Sequence, residues 1–236
     1  MMSRKPFRFK QFEIFQDKTA MKVGTDGVLL GAWADLKSGN TILDIGTGTG
    51  LISLMLAQRF PLSMIDAIEI DNDAFLQATE NFSNATFSDR LTIFNLSLQD
   101  YSIDKKYDLI VSNPPFFAVN DTVDFDARKQ ARQQETLTFG ELIKKTSELL
   151  QKDGLASFII PYDQMGDFCI IASQNALKLS RVVYIKGNSA TVTKRVLLEF
   201  GFDEKEVEEK ELIIEVDRHQ YTENYINLTK DFYLKM

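Results

Sequence analysis

At 236 residues, with 44% hydrophobic side chains, the chain can bury a substantial core, and its size suits one larger α/β domain spanning 1–236 rather than two. No stretch approaches the roughly 18 uninterrupted apolar residues of a membrane span, and the opening MMSRKPFRFKQF lacks the apolar core of a signal peptide, so a cytoplasmic protein is expected, with no membrane contact. A net charge of −7 argues at first sight against a polyanionic ligand, while a single cysteine and a single histidine exclude an intrachain disulfide and leave too few soft ligands for a closed zinc site, so no metal is expected.

Residues 1–40 read as a segment that covers the ligand sites, and its aromatic and basic run FRFKQFEIF suits contact with nucleic acid. From residue 41, short β-branched runs alternate with longer segments of helical period, the pattern of a parallel sheet wrapped by helices. Strands are predicted at 41–45, 64–69, 91–95, 107–112 and 155–160. Helices are expected over LISLMLAQRF, over DAFLQATENF and over TFGELIKKTSELLQKDG. The last carries Thr138 and Glu141 at capping-box spacing and Gly154 as its stop. Cys169, in the apolar run FCII, reads as a small buried hydrophobe, and His219 lies in a polar segment without an obvious partner. RVVYIK and KRVLLEFGF are separated only by GNSATVT, too short for a helical crossover, so they should pair antiparallel. The expected fold is a doubly wound, mostly parallel α/β sheet over 41–236 with a C-terminal extension. Its ligand site should lie at the carboxyl ends of the first strands, where the winding reverses. The polar stretch 117–136 reads as a functional loop.

DIGTGTG at 44–50 falls between the first strand and a helix, where backbone must approach a ligand closely. Gly46, Gly48 and Gly50, interleaved with Thr47, do not have the G-x-G-x-x-G spacing of a dinucleotide site, because Leu51 occupies the position of the third glycine. A turn of this kind preceded by Asp44 fits an amino-acid-bearing nucleoside, with Asp44 facing its ammonium group directly or through water. Glu69 and Asp71 follow the second strand, where a carboxylate can accept from both ribose hydroxyls. Asp100 follows the third strand and is a candidate for the amino group of the ligand's adenine. Each acid alone is more often a solvated loop residue, and it is the three in register that point to a ligand.

After the fourth strand stands Asn113-Pro114-Pro115-Phe116. An exocyclic amino nitrogen is a poor nucleophile because its lone pair is delocalised into the ring. If Asn113 Oδ1 and the Pro114 carbonyl each accept one amino hydrogen, the nitrogen is drawn toward tetrahedral geometry and its lone pair can face a sulfonium methyl. Paired prolines keep the carbonyl aimed, and Phe116 can stack on the extruded base.

DIGTGTG, IEID and NPPF in this order, together with MKVGTDGVLLGAW at 21–33 and NPPFF, resemble the bacterial tRNA (adenine-N6)-methyltransferase family that acts on the purine immediately 3′ of the anticodon in a valine tRNA. The resemblance covers nearly the whole chain, from FKQFEIFQ to YTENYINLTKDFYL. It implies a Rossmann-like class I methyltransferase fold with a seven-stranded sheet and an antiparallel final strand. It further implies S-adenosylmethionine as donor, a tRNA substrate, and Thr25 and Asp26 near the donor's methionine portion. Where family members often carry a histidine after NPPF, this chain reads ARKQARQQ. A release-factor glutamine methyltransferase remains an alternative, although only about forty residues precede the glycine turn; so do a ribosomal RNA guanine methyltransferase and a catalytically silent RNA-binding module. No obligate protein partner is evident.

The charge is also segregated. Residues 1–12 carry Arg4, Lys5, Arg8 and Lys10 and no acid; between Asp167 and Glu199 lie five bases and no acid; DEKEVEEKE at 203–211 concentrates the negative charge. Any one run is equally a solvated surface. For tRNA the candidates are the four N-terminal bases, Arg128, Lys129 and Arg132 in the long loop, and Lys186, Lys194 and Arg195 around the antiparallel pair.

Overall fold

The computed structural model describes residues 5–19, 21–114 and 137–235. Arg4, Pro115, Phe116, the expected loop at 117–136 and its Arg128, Lys129 and Arg132 lie outside the described residues.

Two short strands, β1 (Phe7–Arg8) and β2 (Glu13–Ile14), form a hairpin ahead of helix α1 (Thr25–Trp33). The chain then alternates as expected: β3 (Thr41–Ile45), α2 (Leu51–Arg59), β4 (Met64–Glu69), α3 (Asn72–Ser83), β5 (Leu91–Asn95) and β6 (Tyr107–Ser112). After the undescribed segment come α4 (Phe139–Leu149), β7 (Leu150–Pro161), α5 (Met165–Gln174), β8 (Lys178–Lys186), β9 (Arg195–Gly201) and β10 (Glu208–Ile213). A second hairpin, β11 (Glu215–Asp217) with β12 (Gln220–Tyr221), leads into α6 (Glu223–Thr229), and His219 takes a left-handed conformation in its turn.

Eight strands form one sheet in the order β10-β8-β9-β7-β6-β3-β4-β5. All run in one direction except β9, which is antiparallel to both β7 and β8. The seven expected strands are present. The eighth, β10, is built from the acidic run that reads in sequence as surface charge. It sits at the sheet edge with four exposed charged residues, Glu208, Glu209, Lys210 and Glu211, which discourage pairing with another chain.

Both sheet faces are covered, so successive residues of a strand alternate between two cores. Ile42 enters the α1/α2 side while Leu43 and Ile45 enter the α4/α5 side; Leu109 and Val111 divide from Ile110 in the same way. On the first side α1 lies close against α2, because a Cβ on Gly31 would fall 2.8 Å from the sulfur of Met55.

The helix expected to stop at Gly154 ends at Leu149. Thr138 and Glu141 do form its capping box. The chain is extended from Leu150 onward, and Gly154 lies inside β7, where a Cβ would meet the Tyr107 carbonyl oxygen at 2.9 Å. That glycine therefore serves a close approach between strands.

Cys169 is partly buried against the α4/α5 core and burial pushes its thiol up, consistent with a packing role. The segment before α1 meets the segment after α6: Phe9 bridges to Tyr233, and the Lys10 N–H donates to the Phe232 carbonyl at 2.8 Å. Beyond β2, the N-terminal segment is tied to α3. Asn81 Oδ1 accepts from the Phe15 N–H at 2.9 Å, and Gln77 Oε1 accepts from the N–H groups of Asp17 and Lys18 at 3.1 and 3.0 Å. Among the described residues, no helix is long and apolar enough to cross a membrane.

Candidate active site

The glycine turn leaves β3 at the point where the strand order reverses, with β4 on one side and β6 on the other. Gly46, Gly48 and Gly50 have φ of +70°, +58° and +83°, a region that side-chain-bearing residues enter only with strain. The turn is held from two sides. The N–H groups of Gly46 and Thr47 donate to the Ile68 carbonyl at 2.9 and 3.1 Å, and the Gly48 N–H donates to Glu69 Oε2 at 2.8 Å. Beneath it, Asp44 Oδ2 accepts from Thr47 Oγ1 at 2.6 Å, Ser53 Oγ at 2.7 Å and the Ser53 N–H at 3.2 Å. Asp44 is fully buried, and burial raises its pKa to about 6 despite those hydrogen bonds. It lines neither cavity described below and is bonded to Thr47 in the turn and Ser53 in α2.

Two cavities meet at this turn. The larger, about 540 Å³, lies over the ends of β4 and β5 and is lined by Gly46, Gly48, Glu69, Asp71, residues 97–99 and Asn113, with Lys18, Thr19 and Met21 from the N-terminal segment. The smaller, about 440 Å³, lies between the turn and the start of α1 and is lined by Thr25, Asp26, residues 46–49, Asn113 and Arg195. Met21, Gly46, Gly48 and Asn113 belong to both.

Glu69 is buried at the cavity wall, and loss of hydration raises its pKa, opposed by the N–H bonds from Asp71 and Gly48. Asp71 caps α3, its Oδ1 accepting from the Ala74 N–H at 2.8 Å. Asn113 follows β6, whose last residue is fixed by Ser112 Oγ donating to the Ile45 carbonyl at 2.8 Å. Asn113 Oδ1 is buried and has no hydrogen-bond partner among the described residues. A buried amide oxygen left unpaired is costly, and it stands where the two cavities meet.

The structure brings Thr25, Asp26, Gly46, Thr47, Gly48, Glu69, Asp71 and Asn113 to the two cavities, and Pro114 follows Asn113 directly. Gly50 packs against Phe82, and Asp44 lies underneath. Asp100 is exposed and outside the lining; its Oδ2 accepts from Ser97 Oγ at 2.6 Å, and the wall it was expected to form is made by Ser97, Leu98 and Gln99. Arg195, expected on the tRNA face, is half-buried in the smaller cavity with its Nε 2.9 Å from Asp26 Oδ2. Lys186 pairs with Glu211, Arg8 pairs with Glu13 at 2.8 Å, Lys10 Nζ donates to the Lys230 carbonyl at 2.6 Å, and Lys5 and Lys194 are exposed.

Sequence reasoning missed Lys18, Thr19 and Met21 as cavity walls, and Gln77 and Asn81 as the polar pair that seats their segment. The last two lie four residues apart on the buried face of α3, a signal visible only once that face is known. Among the described residues, no group of three or more His, Cys, Asp or Glu could hold a metal ion.

The family description Methyltransferase small domain matches residues 19–166. A predicted O-methyltransferase from Agrobacterium tumefaciens shares the fold with a TM-score of 0.68 at 17% identity, over 88% of this chain and 96% of that one. A putative class I S-adenosylmethionine-dependent methyltransferase from Listeria monocytogenes gives 0.58 at 15% identity, over 79% and 62%. Fold and site therefore define a class I methyltransferase. Among curated relatives, the tRNA1(Val) (adenine(37)-N6)-methyltransferase of Flavobacterium psychrophilum is 48% identical, over 98% of this chain and all of that one. The protein of the same name from Christiangramia forsetii is 45% identical, over the full length of both. The chain belongs to the tRNA1(Val) (adenine(37)-N6)-methyltransferase family, as the resemblance in DIGTGTG, IEID and NPPF implies.

Proposed function

We propose that this chain methylates the N6 amino group of adenine 37 in tRNA1(Val), with S-adenosylmethionine as donor. The observation that carries the reading is Asn113 Oδ1, a buried acceptor without a partner among the described residues, at the junction of the two cavities.

The residues fit the donor. A Cβ built on Gly46 or Gly48 would meet nothing within 4 Å, so the turn presents bare backbone to open space. Glu69 keeps one lone pair on each oxygen for the two ribose hydroxyls, and Asp71 retains Oδ2. Ser97, Leu98 and Gln99 close the larger cavity over β5 where an adenine would lie, while Thr25, Asp26 and Arg195 face the smaller one, toward a methionine portion. When bound, the donor supplies an electrophilic methyl carbon.

The protein's own work is then positional. Asn113 Oδ1 and the Pro114 carbonyl accept the two amino hydrogens of the target adenine and turn its lone pair toward the methyl. The proton released after transfer passes to water. Pro115 and Phe116 complete the motif in sequence, the latter as a stacking partner for the base. A tRNA substrate places the reaction in the cytoplasm, and the bases Arg4, Lys5, Arg8, Lys10, Arg128, Lys129, Arg132, Lys186 and Lys194 are the candidates for phosphate contact.

The test is incubation with labelled donor and unmodified tRNA1(Val), followed by mass spectrometry of the nucleosides. N6-methyladenosine at position 37 is expected. Methylguanosine or labelled protein overturns the acceptor assignment, and absence of donor binding overturns the enzyme reading.

A further inference from the structure

The geometry points to Tyr162 as a stacking platform for a nucleotide adjacent to the target adenine, with Lys194 beside it for a phosphate. This rests on the reading that the substrate is tRNA.

Strand β7 runs parallel to β6 with Ser112 opposite Phe158, and continues to Pro161. Asn113 is therefore level with Ile159, and Tyr162 stands three residues further on, roughly 10 Å beyond Asn113 along the strand direction. Tyr162 opens the short turn that follows β7, the strand next to the one that leads into Asn113. Its position is fixed, because the Tyr162 N–H donates to the Lys194 carbonyl at 3.1 Å, and the next residue, Arg195, lines the smaller cavity. The Tyr162 ring rests on Tyr184 at 6.0 Å and 72° between planes, yet the residue remains 47% exposed. A large ring held in place and open to solvent has aromatic surface to offer.

The exposed Lys194 beside it offers a cation to a phosphate. Ile185 pairs with Arg195, and the Lys194 N–H donates to the Ile185 carbonyl at 3.1 Å, which holds Lys194 at the start of β9 beside Tyr162. Lys186 has Glu211; the ammonium of Lys194 makes no ion pair among the described residues. An adenine extruded toward Asn113 gives up stacking on its neighbours, and a flat ring with a cation alongside replaces it for a flanking base.

The experiment uses an anticodon stem-loop with 2-aminopurine next to adenine 37. Wild-type protein and Tyr162→Phe should quench the probe, and Tyr162→Leu should not. Tyr162→Leu should also raise KM for the tRNA about 10-fold with donor Kd unchanged, and Tyr162→Phe should remain within about twofold of wild type. Equal quenching by the leucine variant, or a matching loss of donor affinity, overturns the platform. Methyl transfer by the wild-type protein is scored separately: its absence with a quenched probe overturns the acceptor assignment alone, and an unquenched probe with intact transfer overturns the platform alone.

Discussion

The backbone N–H of Gly48 donates to Glu69 Oε2 at 2.8 Å, joining the turn after β3 to the carboxyl end of β4. Because the other oxygen of Glu69 accepts from Asp71 at 2.9 Å, the carboxylate has one orientation before any ligand arrives. Glu69→Gln keeps the size but replaces one acceptor by a donor and removes the charge. Donor affinity is expected to fall about 10-fold or more, as for loss of a charge-assisted hydrogen bond. Calorimetric titration checks this, and an unchanged Kd would remove Glu69 from the ribose site.

Two glycines of the turn should respond differently to alanine. At Gly50 the new Cβ would fall 2.5 Å from Phe82 Cε1 with φ at +83°, so Gly50→Ala should lose more than about 2 kcal/mol of stability. At Gly48 the Cβ meets open space, leaving mainly the conformational cost of about 1 kcal/mol, while the methyl enters the cavity. Gly48→Ala should therefore lose donor affinity out of proportion to stability. Urea melts alongside donor titrations separate the two effects.

Asp44 gives a pH signature. Burial raises its folded-state pKa from 3.8 to about 6, so the folded protein holds that proton more tightly than the unfolded chain does. Its contribution to stability is greatest below about pH 4, declines as pH rises from about 4 to 6, and is flat above. The total is about 3 kcal/mol. Asp44→Asn should abolish this decline relative to wild type in urea melts between about pH 4 and 6; parallel curves for the two proteins would contradict the shift.

Asn113→Ala should reduce turnover by about 100-fold or more while donor Kd stays within about twofold, since the side chain is assigned to the acceptor nitrogen. Equal loss of both would assign Asn113 to the donor instead.

Lys194 and Arg195 are neighbours with different expected salt behaviour. Arg195 is balanced by Asp26, whereas Lys194 is exposed with no ion pair among the described residues. Lys194→Ala should lower the slope of log affinity for tRNA against log salt by about 1, and Arg195→Ala by clearly less. Equal slopes would return Arg195 to the phosphate-binding set.

The turn, the Asn-Pro-Pro-Phe motif and five parallel strands were legible because each is a local pattern: glycines where backbone approaches a ligand, and β-branched runs between helical periods. The directions of Asp100 and Arg195 were not legible, for one shared reason. A charged side chain reports its chemistry in sequence but not its direction, and here one turns to Ser97 and the other to Asp26, 169 positions away. Strand β10 was hidden because its edge position lets it carry charges that mask the strand pattern.

By itself the sequence determined the winding of the sheet and the place of the glycine turn, since strand periodicity and the glycine positions constrain the backbone locally. Only the tertiary structure decided which side chains face the cavities. It put Asp44 under the turn and outside both cavity linings, and tied Phe15, Asp17 and Lys18 to α3 through Asn81 and Gln77, so that Lys18 and Thr19 line the larger cavity. Those placements depend on register and packing between segments far apart in the chain, which no local pattern encodes.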